Sequence, residues 1–245
     1  MPAPIFHRTD LALALNNRLL HPDTLQIAAR DGLFLAGNRQ IGKTTFIRHD
    51  LIPQLEKENA LVIYLDLWDN RERISASEAV LSKVRESLAD LSRLSFLKAK
   101  PSDVFLQFDA KQVGTPAGVS LAQAFSEIIA TYDVNVVLII DEIQELLRSE
   151  TGLNQLAALK AARDAVNLRP NNPNDTYFLL VGIGSQHSLI KSMVIGSSQA
   201  LYGSDHLVFP LLSGEYLIWQ AGQMKDKTKV PSAEAIRRGF AILGG

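Results

Sequence analysis

Nine residues, Gly37 to Thr45, read GNRQIGKTT. Two glycines stand five positions apart and are followed at once by a lysine and a threonine, a pattern suited to holding a polyphosphate. Gly37 and Gly42 let the backbone curl so that successive N–H groups, from Asn38, Arg39, Gln40 and Ile41 onward, point at phosphate oxygens. In such a loop Lys43 reaches the β- and γ-phosphates, the Thr44 hydroxyl ligates Mg²⁺, and Thr45 adds a contact to the α-phosphate. The pattern is short, expected by chance roughly once in a hundred chains of this length. Its surroundings therefore decide what it is.

A second stretch, VVLIIDEIQEL from Val136 to Leu146, runs an apolar segment into two acids. An acid at the C-terminal end of a buried strand lies where open α/β sheets bind ligands. Asp141 is placed to hold Mg²⁺ through water, and Glu142 to polarise the attacking water as general base. The plainer alternative is that both acids cap the next helix. A third stretch, GIGSQHSLI from Gly182 to Ile190, offers Ser185 or Gln186 beside the γ-phosphate if its strand is central. Ser185 is the choice, against an ordinary helix-cap serine.

These residues need a strand before the loop and a helix after it. GLFLAG, Gly32 to Gly37, is an apolar run of strand length ending at the first glycine, and TTFIRHDLIPQLEKENA follows with a helical pattern beginning near Lys43. Other strand-length runs are LVIYLDL (Leu61 to Leu67), VNVVLIID (Val134 to Asp141), YFLLVGIG (Tyr177 to Gly184) and the weaker HLVFPLL (His206 to Leu212). They are continuous rather than alternating, as in strands covered on both faces. SASEAVLSKVRESLADLSRL, SLAQAFSEIIATY and QELLRSETGLNQLAALKAARDAVNL supply helices between them. This alternation predicts an α/β fold with βαβ units and a helix-covered parallel sheet. Asp103 to Ser120 breaks the rhythm and reads as a short hairpin or loop insertion, because VFLQF alternates ahead of Gly and Pro. The end reads as a basic loop, then a helix opened by Pro231, Ser232 and Glu234.

Composition narrows the classes. The 245 residues suffice for one α/β domain with a small appendage. The formal net charge of -1 announces neither nucleic acid nor an anionic membrane. There is no cysteine, which excludes disulfides and thiolate metal sites and fits a cytoplasmic protein. The N-terminus lacks the features of a signal peptide, and the longest strongly apolar run, Val136 to Ile140, is far below the ~20 residues of a membrane-spanning helix. The five histidines show no metal-ligand spacing. No Asn-Lys-x-Asp element follows a late strand to read guanine, so ATP is the expected nucleotide.

Taken together, GNRQIGKT and LIIDEIQEL resemble the P-loop NTPases with an added central strand, including AAA+ and STAND ATPases, and within these the archaeal-type ATPase group. FHRTDL is similar to that group's Phe-x-x-Arg entry motif, SSQALYGSDHLVFPLL to its small-Leu-Tyr-Gly segment, and AIRRGFAILGG to the helix that opens a C-terminal lid. The resemblance implies a three-layer sandwich with a mainly parallel central sheet in the order 5-1-4-3-2 and helices on both faces. It implies an N-terminal helical entry segment (1–30), a P-loop core (31–220) and the start of a helical lid (221–245), cut short where a lid and a winged-helix domain usually follow. Where the group often carries an arginine after Leu-Tyr-Gly, this chain has Ser204.

The expected function is hydrolysis of Mg·ATP to ADP and phosphate, driving or switching a protein partner or a missing C-terminal domain, with a homo-oligomer possible and neither nucleic acid nor membrane indicated. Turnover is expected to be slow in isolation, because no arginine finger or lid is evident. A nucleotide-dependent binding switch and a nucleic-acid-acting ATPase are the alternatives. Arg148, Arg163 and Arg169 read as solvated helix residues rather than fingers acting in trans, and the lysines at 225, 227 and 229 as exposed loop. Trp68 and Trp219 read as packing residues, and Asp66 as a strand-end turn.

Overall fold

The computed structural model describes residues 4–22, 27–69, 74–90, 106–168, 176–196, 199–224 and 231–243. Arg169, the lysines at 225, 227 and 229, and residues 103–105 of the proposed insertion lie outside the described residues. Five strands, β1 (Leu33–Ala36), β2 (Ala60–Asp66), β3 (Asn135–Asp141), β4 (Phe178–Gly184) and β5 (Asp205–Val208), form one sheet in the order β2-β3-β4-β1-β5. Every neighbouring pair is parallel. This is the expected 5-1-4-3-2 order, read from the other edge.

Strand periodicity divides the core in two. Leu33, Leu35, Val62, Val137, Ile139, Leu179 and Val181 point to one face, where they meet α1 (Thr9–Leu20), α2 (Lys43–Phe46) and α3 (Ile52–Lys57). Phe34, Leu61, Ile63, Val136, Leu138 and Leu180 point to the other. There they meet α4 (Ala76–Ala89), α5 (Leu121–Tyr132), α6 (Glu150–Asn167) and α7 (His187–Ile195). With helices on both faces the middle strands have no solvated side, which is why their sequences run apolar without alternation. α8 (Gly214–Gly222) and α9 (Ala233–Leu243) follow the edge strand β5.

Local chemistry sets the boundaries. Ser75 caps α4 by accepting the Glu78 N–H, and Ser120 forms a reciprocal capping box with Gln123 on α5. The helix after the phosphate loop is continuous from 43 to 57 but passes through a π-turn at Ile47–Leu51. Pro53 has no N–H to give the preceding turn, so the hydrogen-bond ladder is rearranged just before it.

Two expectations change. The segment 144–168 is not one helix. A 3₁₀ stretch, Ile143–Arg148, gives way to α6, whose Ser149 cap accepts the Gly152 N–H at 3.1 Å. A Cβ at Gly152 would run into the Leu146 carbonyl, so glycine permits the corner. Among the described residues of the insertion, 106–120, there is no strand. A 3₁₀ turn at Ala110–Gln112 follows the Asp109 cap, and Leu106 and Phe108 pack on the main core without a ladder partner.

Register fixes the place of the site. Asp66 pairs with Asp141, Asp141 with Ile183, and Ala36 with Gly184. The four strands β2, β3, β4 and β1 therefore end on one line, and each loop that follows starts from that line.

Candidate functional site

The loop 37–45 leaves β1 at this edge. Gly37 donates its N–H to the Gly184 carbonyl at 3.1 Å, which ties the loop to β4. A Cβ at Gly37 would stand 2.9 Å from both Ile41 Cδ1 and Phe209 Cβ, closer than packed side chains allow. Gln40 at φ 64° and Gly42 at φ 81° take the left-handed conformation, and such alternation curls backbone amides into a concave anion seat. The helix then starts at Lys43, so its positive end faces the same seat.

Lys43 is only 6% exposed, and its ammonium donates to the carbonyls of Gly37 (2.8 Å) and Asn38 (2.7 Å). Burial lowers its pKa from the ordinary lysine value; Glu142 and Asp141 oppose the shift, and the Arg39 charge adds to it. A buried ammonium held against the carbonyls of such a loop is matched to a polyanion.

Asp141, 1% exposed, is the centre of the neighbouring cluster. Its Oδ2 accepts the Thr44 hydroxyl at 2.6 Å and the Tyr64 hydroxyl at 3.3 Å; its Oδ1 accepts the Glu142 N–H at 3.0 Å. Burial raises the Asp141 pKa against the pull of the Thr44 and Glu142 donors, and burial likewise pushes the Tyr64 phenol up. A hydroxyl and a carboxylate side by side form a hard-oxygen donor pair of the kind Mg²⁺ accepts. The residues present thus fit the cation expected with ATP, and Thr44 and Asp141 are the ones that would hold it.

Glu142 turns away from both. Its backbone is left-handed at φ 53°, a costly conformation for a non-glycine residue, and it begins the 3₁₀ stretch without a side-chain cap bond. The helix-capping alternative therefore does not describe its carboxylate. Oε2 instead accepts the Ser185 hydroxyl at 2.9 Å and the Gln144 amide. Gln144 is fully buried and also reaches Ser185 at 3.5 Å, while its Oε1 has no hydrogen-bond partner among the described residues. A Cβ at Gly184 would collide with that Oε1. The strand end is thus shaped around the amide.

Sequence reasoning missed Gln144 and Tyr64. The signal for Gln144 was its position two residues after a strand-ending acid, where a left-handed corner turns the chain back. The signal for Tyr64 was a phenol inside the apolar run of β2. Asp66 does make the expected turn, accepting the Trp68 N–H at 2.9 Å, but it also lines a cavity of about 250 Å³ with Arg39, Thr44, Trp68 and Glu142. Burial raises the Asp66 pKa, and nearby Asp141 adds to that rise. Arg163 is a correction: it is buried, not solvated. It donates to the Asp31 carbonyl and pairs with Asp164, at the opposite edge of the sheet. Arg148 is exposed and paired with Glu145 at 3.1 Å.

On the other side of the loop lies a cavity of about 340 Å³. Phe6, Tyr216 and Trp219 form an aromatic cluster on it, with ring centroids 5.5–5.8 Å apart, and Gln40, Gly42 and the exposed Thr45 border it. The entry segment is pinned there. His7 Nδ1 lies 2.6 Å from Asp50 Oδ1, the Arg8 N–H bonds Asp50 Oδ2 at 3.0 Å, and the Arg8 guanidinium donates to the Pro210 and Leu211 carbonyls. Trp219, read from sequence as packing, is thus part of a cavity wall.

A family model described as an AAA domain matches residues 28–189, about two thirds of the chain. This chain belongs to the AAA domain family. No curated protein matches it. Among solved structures it is similar to the ORC2 protein of Aeropyrum pernix in its ADPNP-ADP complexes, with 18% identity and a TM-score of 0.59, covering 90% of this chain and 53% of that one. The ADP form of the same protein matches with 16% identity and a TM-score of 0.55 over the same shares of the two chains. At these identities the likeness is one of fold. The AAA chain spans about half the length of these structural relatives.

Proposed function

We propose that this AAA domain binds Mg·ATP in the loop 37–45 and hydrolyses it to ADP and phosphate, driving or switching a partner or a downstream domain. The observation that carries this reading is the contact between the Thr44 hydroxyl and Asp141 at 2.6 Å, joining the two sequence motifs 97 residues apart. The ORC2 structure in its ADPNP-ADP complexes supports nucleotide as the ligand of the shared fold.

The loop amides and the Lys43 ammonium hold the phosphate oxygens. Thr44 and Asp141 would hold the cation, which would supply positive charge against those oxygens. Glu142 accepts a proton from the attacking water, and Ser185 donates a hydrogen bond at the same point. The aromatic cavity beside Thr45 takes the base. Turnover by the chain alone is slow, because the Glu142 carboxylate is already engaged by Ser185 and Gln144 and must be freed to meet water. That engagement also favours the related reading of a nucleotide-dependent switch, in which hydrolysis only resets the bound state.

The test is calorimetric titration with ATP and with GTP in the presence of Mg²⁺, with phosphate release followed on the same samples. Wild type binds ATP, Lys43→Ala loses at least about 100-fold in affinity, the loss of two charge-assisted hydrogen bonds, and Glu142→Gln binds without releasing phosphate. A folded protein that binds neither nucleotide overturns the proposal. Equal affinity for GTP overturns the choice of ATP.

A further inference from the structure

We propose that Arg39 is this chain's own cation for the γ-phosphate, so that charge stabilisation during hydrolysis is supplied within one chain. The inference rests on the ATPase reading above.

Three observations carry it. The cavity of about 250 Å³ at the strand ends is lined by Arg39, Thr44, Asp66, Trp68 and Glu142. The guanidinium therefore shares one space with the hydroxyl on the cation side and the carboxylate on the water side. Next, its exposed guanidinium lies over the Trp68 indole, with Cζ 5.0 Å from the ring centroid, and forms no ion pair among the described residues. Asp66, one of the two acids lining the cavity, accepts the Trp68 N–H at Oδ1 and so fixes the platform under Arg39. Third, the other arginines near the site are committed: Arg8 to two carbonyls, Arg48 to Asp69 with its guanidinium over the Tyr64 ring, Arg148 to Glu145.

A stack of an exposed guanidinium on a half-buried indole is weak beside a charge-assisted bond to a phosphate oxygen. Arg39 therefore has more to gain at the phosphate than it leaves at Trp68. In the reaction the water oxygen bonds to the γ-phosphorus, Glu142 takes the water proton, and the bond from that phosphorus to the β–γ bridging oxygen breaks. The electron pair stays on the β-phosphate of ADP. Negative charge is spread over the γ-oxygens and the bridging oxygen as this happens, and the guanidinium fork matches those oxygens.

The experiment compares wild type, Arg39→Ala, Arg39→Lys and Trp68→Leu. It reads phosphate release at several chain concentrations, and calorimetric affinity for ADP alone and for ADP with fluoroaluminate. The expected result is a wild-type turnover per chain that does not depend on concentration. Arg39→Ala then loses at least 100-fold in kcat with KM within threefold. Its affinity for ADP is unchanged while that for ADP with fluoroaluminate falls at least tenfold. Arg39→Lys recovers part of both losses, and Trp68→Leu falls between it and wild type. Retention of wild-type release by Arg39→Ala overturns the proposal, as does an equal loss of affinity for ADP with and without fluoroaluminate. A wild type that binds ATP without releasing phosphate overturns the hydrolysis reading instead. Arg39 is then still judged by the fluoroaluminate difference.

Discussion

The two cavities on either side of the loop 37–45 are built in opposite ways. On the strand-end side, buried and half-buried polar groups are wired together: Thr44, Tyr64, Asp141, Glu142, Gln144 and Ser185 form a connected hydrogen-bond cluster. Thr44 stands on α2 after β1, and the others on or just beyond β2, β3 and β4, strands whose ends are matched in register. On the aromatic side, the walls come from residues near 6 and near 219, brought together by Arg8 and by ring contacts, and α8 has no buried residue. A buried polar cluster is costly when left half-satisfied, so it fixes one geometry. A half-exposed aromatic cluster on a helix without a buried residue can shift at little cost. In the proposed ATPase, chemistry would then belong to the first cavity, and contact with the base to the second.

The sharpest way to break this division is Glu142→Gln. The division requires that phosphate release fall about 10²–10⁴-fold, the range for loss of a general base, while ATP affinity stays within about threefold. Single-turnover phosphate release and calorimetry together check it. A large loss of affinity with little change in the chemical step would place Glu142 in binding and erase the distinction.

The next effect falls on the other side. Trp219→Ala should weaken ATP about tenfold to a hundredfold, the scale of one base–aromatic stack. Inorganic triphosphate, which carries no base, should bind wild type and variant equally well. If both ligands weaken together, the aromatic cluster acts by holding the loop and not by meeting the base.

How much of this could be read from the residues follows the same division. The loop and the Asp141–Glu142 pair were legible because each motif is local: a glycine-bounded turn between strand and helix, and an acid at the end of an apolar run. The α/β alternation was legible for the same reason, since doubly covered strands have an unmistakable composition. Sheet order came from resemblance, because apolar runs do not say which strands are neighbours. The Glu142–Ser185–Gln144 triangle depends on a left-handed corner at Glu142 and on β4 lying beside β3, neither of which has a sequence signal of its own. The aromatic cavity was illegible as a site: Phe6 and Trp219 meet only through tertiary contacts. Arg163 looked like surface because charged helix residues usually are, yet here a carbonyl and an aspartate pay for its burial.

A smaller effect sharpens the comparison within the strand-end cavity. Tyr64→Phe removes one 3.3 Å hydrogen bond to Asp141 and leaves the bonds from Thr44 and the Glu142 N–H. About 1 kcal/mol is at stake, close to a fivefold change in apparent Mg²⁺ affinity measured by titrating the cation at fixed ATP. No change would mean that Thr44 and the Glu142 N–H suffice to orient the carboxylate.

The smallest expected effect has the opposite sign. Burial raises the Asp141 pKa above its unfolded value. Between those two values the folded chain binds the extra proton, so Asp141's contribution to stability is present below the unfolded pKa and is lost as pH rises through the folded one. At neutral pH the ionised group is therefore a cost to the nucleotide-free fold. Asp141→Asn should raise Tm without nucleotide by roughly 2–4 °C, the shift that about 1 kcal/mol gives a domain of this size. The gain should shrink as pH falls into the carboxylate range, where wild type is protonated too, and Mg²⁺-dependent stabilisation by ATP should disappear. Thermal melts at neutral and acidic pH, with and without Mg·ATP, measure all three. A lower Tm for Asp141→Asn at every pH would mean that the Thr44, Tyr64 and Glu142 donors outweigh burial, and that the strand-end cluster stabilises the fold instead of being carried by it.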